Sequence, residues 1–352
     1  MSTALSVKSP QSTPVEATLP LILAPEGDKS LQALTERLRS DKKALDEAML
    51  AHGAVILRGY DISTADDFKQ VVTSMDDQLQ TRYLGTSPRE ELAPHVFSAS
   101  ELPDYYPIPQ HCEMSFLSNP PRRLYFGCLI APKQGGETPI VDFRKVYNDL
   151  DPAVLKRFED GGIRIIRNYC GPKTGSGFDL WKLKRWDEIF GTTERSLVEA
   201  ECERQGIEFE WYGKDRLRLI SGQAATAKHP VTGTPTWFSH VQVFHMQAAP
   251  AEYKRIYKLR GGLKMAALWR FTELVVFLRR KFADSDTLPM HCTYLDGREI
   301  RRDDLEHLCD VIWKHMVAIP WEKGDVLAVD NRSVSHGRLP YRGERLIVVS
   351  WS

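Results

Sequence analysis

The stretch Pro107–Val141, PIPQHCEMSFLSNPPRRLYFGCLIAPKQGGETPIV, decides how this chain is to be read. In RLYFGCLI the residues Leu124, Phe126, Cys128 and Ile130 alternate, and alternation puts them on one face of an extended strand. Gly135-Gly136 then turns the chain into ETPIV, so the stretch predicts successive strands of one sheet system. Its opening, HCEMSF after Pro107 and Pro109, also reads as extended. Residues i and i+2 of a strand share a face, which would let His111 and Glu113 project together while Cys112 points away. An imidazole and a carboxylate so placed can bind one cation, although an H-x-E triplet by itself is commonplace.

Working outward, the N-terminal side alternates helix and strand. Asp41 is placed to cap a helix bearing Leu45, Ala48, Met49 and His52, with Gly53 at its end, before the short buried strand AVILRG. Thr64 and Asp67 approximate a capping box ahead of Phe68, Val71, Val72 and Met75 at helical spacing. Beyond Val141, Asp142 caps a helix to about Leu150, a second helix runs from Pro152 to Asp160, and IRIIRNY returns to strand. Ile207, Phe209 and Trp211 alternate into a turn at Gly213, and Leu217 and Leu219 alternate back, as a hairpin does. Residues 222–290 read as a mostly helical insertion, Asp296-Gly297 as a further hairpin turn, and Leu305, Leu308, Cys309, Ile312 and Met316 as a helix face. GDVLAVDN and RLIVVSW close the chain as strands. Many short strands with inserted helices predict a mainly β, α+β architecture with a double-stranded β-helix (jelly-roll) core. Residues 19–352 are expected to form one domain behind a mobile tail at 1–18, which is rich in Ser, Thr and Pro.

Composition narrows the function classes. Lys plus Arg equals Asp plus Glu at 47 each, so no global field exists to hold a nucleic acid. The six cysteines are scattered and form no C-x-x-C pair, which suits free thiols in a reducing cytoplasm. The N-terminal segment has no basic region followed by an apolar run, and the most apolar segment, Leu268–Leu278, falls well short of the roughly 20 residues that span a bilayer. A cytoplasmic, non-membrane protein is expected.

A second histidine sharpens the metal reading. His336 lies in DNRSVSHGR, just after GDVLAVDN, and a fold that pairs early and late strands would set it opposite His111. Two histidines and one carboxylate on one face of a metal leave three positions open, which suits non-haem Fe(II) oxygen chemistry better than a closed zinc site.

HCEMSFLSNPPRRLYF, QGGETPIVDFRKVY and GDVLAVDNRSVSHGRLPYRGERLIVV, with HGAVILRGYDI and TRYLGTSPREELAP before them, resemble the Fe(II)/2-oxoglutarate oxygenase family of taurine dioxygenase and clavaminate synthase. The resemblance runs from about Leu45 to the C-terminus. It implies that His111, Glu113 and His336 form the iron triad, that Thr138 in GGETP hydrogen-bonds 2-oxoglutarate, and that Arg345 pairs with its distal carboxylate. The chemistry agrees: a guanidinium is a planar, permanently charged fork for a carboxylate, and Arg345 enters the buried run Leu346–Val349, where it needs an anion. It further implies Fe(II) with 2-oxoglutarate and O2 as co-substrates, and hydroxylation coupled to release of succinate and CO2.

Departures from the family pattern carry information. Glu113 stands where the family often has Asp, as in clavaminate synthase and amino-acid β-hydroxylases, and this favours an amino-acid substrate. Val349 stands where taurine dioxygenase has a second arginine for the sulfonate, so a taurine-like substrate is disfavoured. Because the carboxylate is present, chloride has no vacant position and hydroxylation is expected over halogenation. A similarity to SyrP-like proteins of biosynthetic clusters implies a small-molecule substrate that is free or presented on a peptidyl carrier protein. Arg338, beside His336, is a candidate for a substrate carboxylate. Trp237, Phe238, His240 and His245 are read first as buried aromatics and satisfied histidines, with active-site lining second and an additional metal site last, and Gly262–Lys281 first as core packing of one face, with a partner helix or a lid second. Desaturation or ring formation would use the same iron centre. A zinc hydrolase or a noncatalytic metal-binding protein are the alternatives from other classes, and neither needs Thr138 and Arg345.

Overall fold

The main sheet of the computed structural model, which describes residues 18–81, 89–173, 184–282 and 288–352, has seven strands. Their order is Leu21–Leu23, Ala54–Leu57, Val326–Asp330, Arg123–Ile130, Leu346–Trp351, Val96–Ser98 and Glu91–Ala93. The first pair is parallel and the rest are antiparallel. A second sheet pairs Ile108–His111, Val334–Arg338 and Ile140–Asp142, and a third joins Glu208–Tyr212, Arg216–Gln223, Ile163–Cys170 and Met290–Thr293. Chain order and sheet order thus differ throughout: the last strands of the sequence lie between early ones.

Alternation in the central strands sorts side chains into two cores. Leu124, Phe126 and Cys128, with Leu327, Val329, Ile347 and Val349, pack with Ile140, Val141 and Val334 of the second sheet and Ile163 and Ile165 of the third. The intervening Tyr125, Leu129, Val326, Ala328 and Val348 face the other way, onto Leu34, Leu45, Phe68 and Val71 of the N-terminal helices. These strands are therefore buried on both sides. Truncating a residue such as Phe126, 4% exposed, would cost about 3–5 kcal/mol in lost transfer energy and cavity. Ile130 departs from the expected alternation, being only half-buried, because the register shifts opposite Leu346 and Ile347.

Local sequence signals account for most helix ends. Thr64 and Asp67 form a reciprocal capping box, Asp67 N donating to Thr64 Oγ1 at 3.1 Å and Thr64 N to Asp67 Oδ2 at 3.0 Å. Gly53 ends the Lys42–His52 helix at φ 76°, and Asp142 caps Phe143–Asp149. Asp41 precedes its helix as expected but makes no cap bond, since its Oδ1 accepts from Ser40 Oγ. The helix Leu31–Ser40 and the strand Leu21–Leu23 were not foreseen from the sequence.

The stretch 222–290 needs correction. Its first third is not helical, because Thr226–Lys228 and Pro235–Trp237 pair as a small antiparallel hairpin. Among the described residues, helix is confined to Val241–Phe244, Ala248–Arg260 and Leu263–Phe282. The Asp296-Gly297 turn forms, Gly297 N donating to Tyr294 O, but no strand follows it. The 207–219 hairpin has the expected register, Phe209 opposite Leu219 and Trp211 opposite Leu217. Of the expected mobile tail, residues 1–17 lie outside the described residues.

Candidate metal centre

His111 ends its strand and His336 lies in the middle of the neighbouring one. The two are direct cross-strand partners, with ring centroids 4.3 Å apart. The flanking residues fix this register: Ser335 Oγ donates to Gln110 Oε1 at 2.8 Å, and Gln110 Nε2 donates to Pro139 O at 2.9 Å. Phe126 of the main sheet packs its ring 5.0 Å from that of His336.

Glu113 joins the pair, but not by strand alternation. The strand stops at His111, and Glu113 lies in a turn whose next residue, Met114, has φ 52°, a left-handed conformation that is costly for a side chain of this size. Asn331 accounts for the turn. Its Oδ1 accepts from Glu113 N at 2.7 Å, and its Nδ2 donates to Glu113 O at 3.0 Å and to Pro121 O at 2.8 Å. Asn331 is fully buried and sits between the strand Val326–Asp330 and the strand that carries His336. One amide thus ties Glu113 to the histidine strand, and nothing in the local sequence of HCEMSF signals it.

The donor atoms of His111, Glu113 and His336 lie within 4.8 Å of one another, and Glu113 Oε2 is 3.6 Å from His336 Nε2. Tautomers decide whether such a cluster suits a metal. His111 Nδ1 is 2.9 Å from Pro109 O, so that nitrogen carries the proton and the Nε2 lone pair is left for a cation. Burial, then the neighbouring His336, pushes the pKa of His111 down to about 4, which keeps it neutral as a ligand must be. Burial alone would raise the pKa of Glu113, yet the Arg89 charge and the His336 hydrogen bond hold it well below the usual carboxylate range. Arg89, with Nη2 2.8 Å from Glu113 Oε2, was not singled out from the sequence. The donor set, its protonation and its burial fit a divalent iron.

A second cluster, His245, His291 and Glu299, has equally close atoms and the opposite protonation. Here Gln247 N donates to His245 Nδ1 at 3.2 Å and Met246 N to His291 Nδ1 at 3.3 Å. Both Nδ1 atoms are therefore acceptors, which leaves the ring proton to Nε2; His291 Nε2 lies 3.2 Å from the Glu299 carboxylate, whereas His245 Nε2 stands 4.0 Å from it, beyond hydrogen-bond distance. This is a hydrogen-bonded junction between the segment after the Val241–Phe244 helix and the strand Met290–Thr293. His240, by contrast, borders the triad: its ring centroid is 5.4 Å from that of His111, and Ser115 Oγ lies 2.7 Å from its Nδ1. Trp237 and Phe238 are core residues, as expected.

One cavity contains the triad histidines together with Thr138, Arg338, Arg345 and Arg89. Arg345 donates from Nε to Gly136 O at 2.9 Å, and its Nη2 stands 3.5 Å from Thr138 Oγ1. Burial, then Arg338, lowers its pKa to about 10, so it stays charged at neutral pH. The sequence placed Arg338 as a candidate for a substrate carboxylate. The structure keeps it on the cavity wall while its Nη atoms donate to the carbonyls of Leu102, Pro103 and Tyr106 at 3.0, 2.8 and 2.7 Å, so it also staples the loop ahead of His111. Val349 is fully buried in the core.

Comparison with known proteins identifies the family. Residues 12–351 match the profile of the taurine catabolism dioxygenase TauD, TfdA family. The chain is 31% identical over 309 residues to the dapdiamide synthesis protein DdaC of Enterobacter agglomerans, covering 87% of this chain and 84% of that protein. It is 27% identical over 328 residues to a clavaminate synthase-like protein of Arabidopsis thaliana, covering 91% and 88%. Among solved structures it superposes on PvcB, an Fe, alpha-ketoglutarate dependent oxygenase from an isonitrile synthetic pathway, with a TM-score of 0.51 at 14% identity, over 100% of this chain and 94% of that one. No helix among the described residues is long and apolar enough to cross a membrane. The chain belongs to the taurine catabolism dioxygenase TauD, TfdA family and is an iron- and 2-oxoglutarate-dependent dioxygenase.

Proposed function

We propose that this enzyme hydroxylates an unactivated C–H bond of an amino acid or amino-acid-derived molecule in a biosynthetic pathway. One 2-oxoglutarate and one O2 would be consumed, one oxygen atom entering the product as hydroxyl and the other the succinate, with release of CO2. The observation that carries the reading is the placement of Arg345 and Thr138 on the wall of the cavity that holds the His111–Glu113–His336 cluster. A dicarboxylate chelating the metal at one end would meet a guanidinium and a hydroxyl at the other. His111, Glu113 and His336 would hold Fe(II), which supplies the oxygen-activating chemistry when bound. Arg345 and Thr138 would orient the co-substrate. Arg338 would keep the 102–106 loop closed over the site, and the apolar wall at Phe126 would exclude water.

Several features support the finer reading. The core strands, paired early with late in the sequence, fit a jelly-roll. Val349 in place of an arginine, and a relative in dapdiamide synthesis, favour biosynthesis over sulfonate catabolism. The six cysteines are unpaired, as a reducing cytoplasm would keep them. We take the substrate to be free or bound to a peptidyl carrier protein. Desaturation or cyclisation would use the same residues, whereas the zinc hydrolase and noncatalytic alternatives lose their basis in the family assignment.

The test is a coupled assay with Fe(II), ascorbate and 2-oxoglutarate against free and carrier-loaded amino acids. Succinate formation with a substrate gain of one oxygen mass supports hydroxylation. A loss of two hydrogens instead would assign the desaturase or cyclase reading.

A further inference from the structure

The helix Leu263–Phe282 is apolar on its outward face as well as toward the body of the protein, where Met265, Leu268, Trp269 and Val275 are half-buried. A surface helix of a globular protein turns its apolar stripe inward, yet Val276 is the single buried residue of these twenty. Its outward face carries Leu263, Ala267, Phe271, Leu274, Phe277 and Leu278, with Leu263 91%, Phe277 62% and Leu274 54% exposed. The stripe continues through Phe271 into an apolar cavity of about 110 Å³, walled by Tyr105, Tyr106, Tyr253, Leu268 and Val275. Basic residues frame it: the helix holds Lys264, Arg270, Arg279, Arg280 and Lys281 against one acid, Glu273, which pairs with Arg270 at 3.1 Å. In a chain whose charges balance overall, this is a local excess.

We infer that this helix and the cavity beside it form a docking surface for a small acidic helical carrier domain that presents the substrate. An exposed apolar stripe of this extent marks an interaction site, a cavity at its edge suits one anchoring apolar side chain, and a basic rim steers an acidic partner. A second copy fits poorly, because symmetric pairing would bring together two faces that each carry five basic residues and one acid. A membrane surface needs only a convex apolar face and leaves the cavity without a role. Position also favours a carrier. The loop that lines this cavity with Tyr105 and Tyr106 lines the metal cavity with Ala99 and Ser100. Arg260, at the end of the preceding helix, donates to Glu137 at 2.7 Å, next to Thr138. A domain seated here would stand beside the metal cavity, within reach of a flexible thioester-bearing arm. The inference rests on the carrier-presented form of the substrate proposed above.

The experiment is calorimetric titration of the full-length enzyme with a peptidyl carrier domain and with an acyl carrier protein, each in its phosphopantetheinylated form. Binding should weaken at least tenfold in Phe271→Glu and in Lys264→Glu/Arg270→Glu, and should fall with added salt. The visible absorption of the Fe(II)–2-oxoglutarate complex should be unchanged in these variants, since none of the three residues lies in the metal cavity. That band reads the metal site separately, so band formation without carrier binding overturns the docking surface and leaves the oxygenase reading intact. Carrier binding indifferent to these substitutions overturns it too. So does Phe271-dependent self-association in sedimentation, or Phe271-dependent binding to phosphatidylglycerol vesicles, where neither carrier binds.

Discussion

The side-chain amide of Asn331 grips the peptide of Glu113 on both sides, accepting from its N–H at 2.7 Å and donating to its carbonyl at 3.0 Å. Through this pair Glu113 is fixed to the chain segment that leads into His336. Partners of this kind set the geometry of a metal site as much as the ligands do, and their loss commonly costs 10–100-fold in metal affinity. Asn331→Ala should therefore weaken Fe(II) binding by about that factor. It should also lower stability by about 1–3 kcal/mol, because buried backbone groups lose partners. Anaerobic calorimetry and thermal melts check the two effects separately. Asn331→Asp should be no milder, since a carboxylate cannot donate to the Glu113 and Pro121 carbonyls.

The triad and the co-substrate pair should separate kinetically. His111→Ala and Glu113→Ala are expected to abolish turnover. Arg345→Ala is expected to raise the 2-oxoglutarate KM by 30-fold or more, from the roughly 2–5 kcal/mol typical of a buried charge-assisted pair, with a much smaller change in kcat. Full activity in either ligand variant would remove the metal assignment.

The two histidine clusters should behave differently toward metal. With Nδ1 of His245 and of His291 each accepting a backbone N–H, and His291 Nε2 donating to Glu299, neither ring turns a free lone pair toward a cation, so the enzyme should bind one Fe(II) per chain and His291→Ala should leave that stoichiometry at one. Metal analysis after gel filtration checks it. A second equivalent lost on His291→Ala would show that a cation can displace those protons.

Glu252 offers a pH signature away from the site. Burial raises its carboxyl from an ordinary value of 4.5 to about 7, although Trp313 Nε1 donates to it at 2.9 Å. A raised carboxyl favours the folded state fully below pH 4.5, and that contribution is lost as pH rises through about 7. Glu252→Gln cannot ionise and can still accept from Trp313. Its melting temperature should exceed that of wild type progressively as pH rises from 5 to 8, by up to about 3 kcal/mol in stability. Parallel curves for the two proteins would contradict the burial of a titrating group.

What could be read from sequence follows the range of each signal. Alternation in Leu124–Leu129 and the Thr64–Asp67 box are local, and the structure carries both. The pairing of His111 with His336 spans more than two hundred residues and became legible only through ordered motifs resembling a family. Glu113 was found for an incorrect reason: strand periodicity pointed to it, but a turn held by the distant Asn331 places it. Arg89 and Asn331 escaped notice because their partners are remote, and no pattern around either residue announces an ion pair or a backbone clamp. Arg338 was noticed for its charge, yet three loop carbonyls use its donors. The insertion at 222–290 misled because Thr226–Lys228 and Pro235–Trp237 are three-residue strands, too short for a period to register.

The most direct test is anaerobic addition of Fe(II) and then 2-oxoglutarate to metal-free enzyme, followed by visible absorption. The account predicts a weak charge-transfer band that saturates at one iron per chain and needs far more co-substrate in Arg345→Ala. Folded, iron-loaded protein that gives no band, or a band indifferent to Arg345, would contradict the assignment of this cavity as the iron and 2-oxoglutarate site.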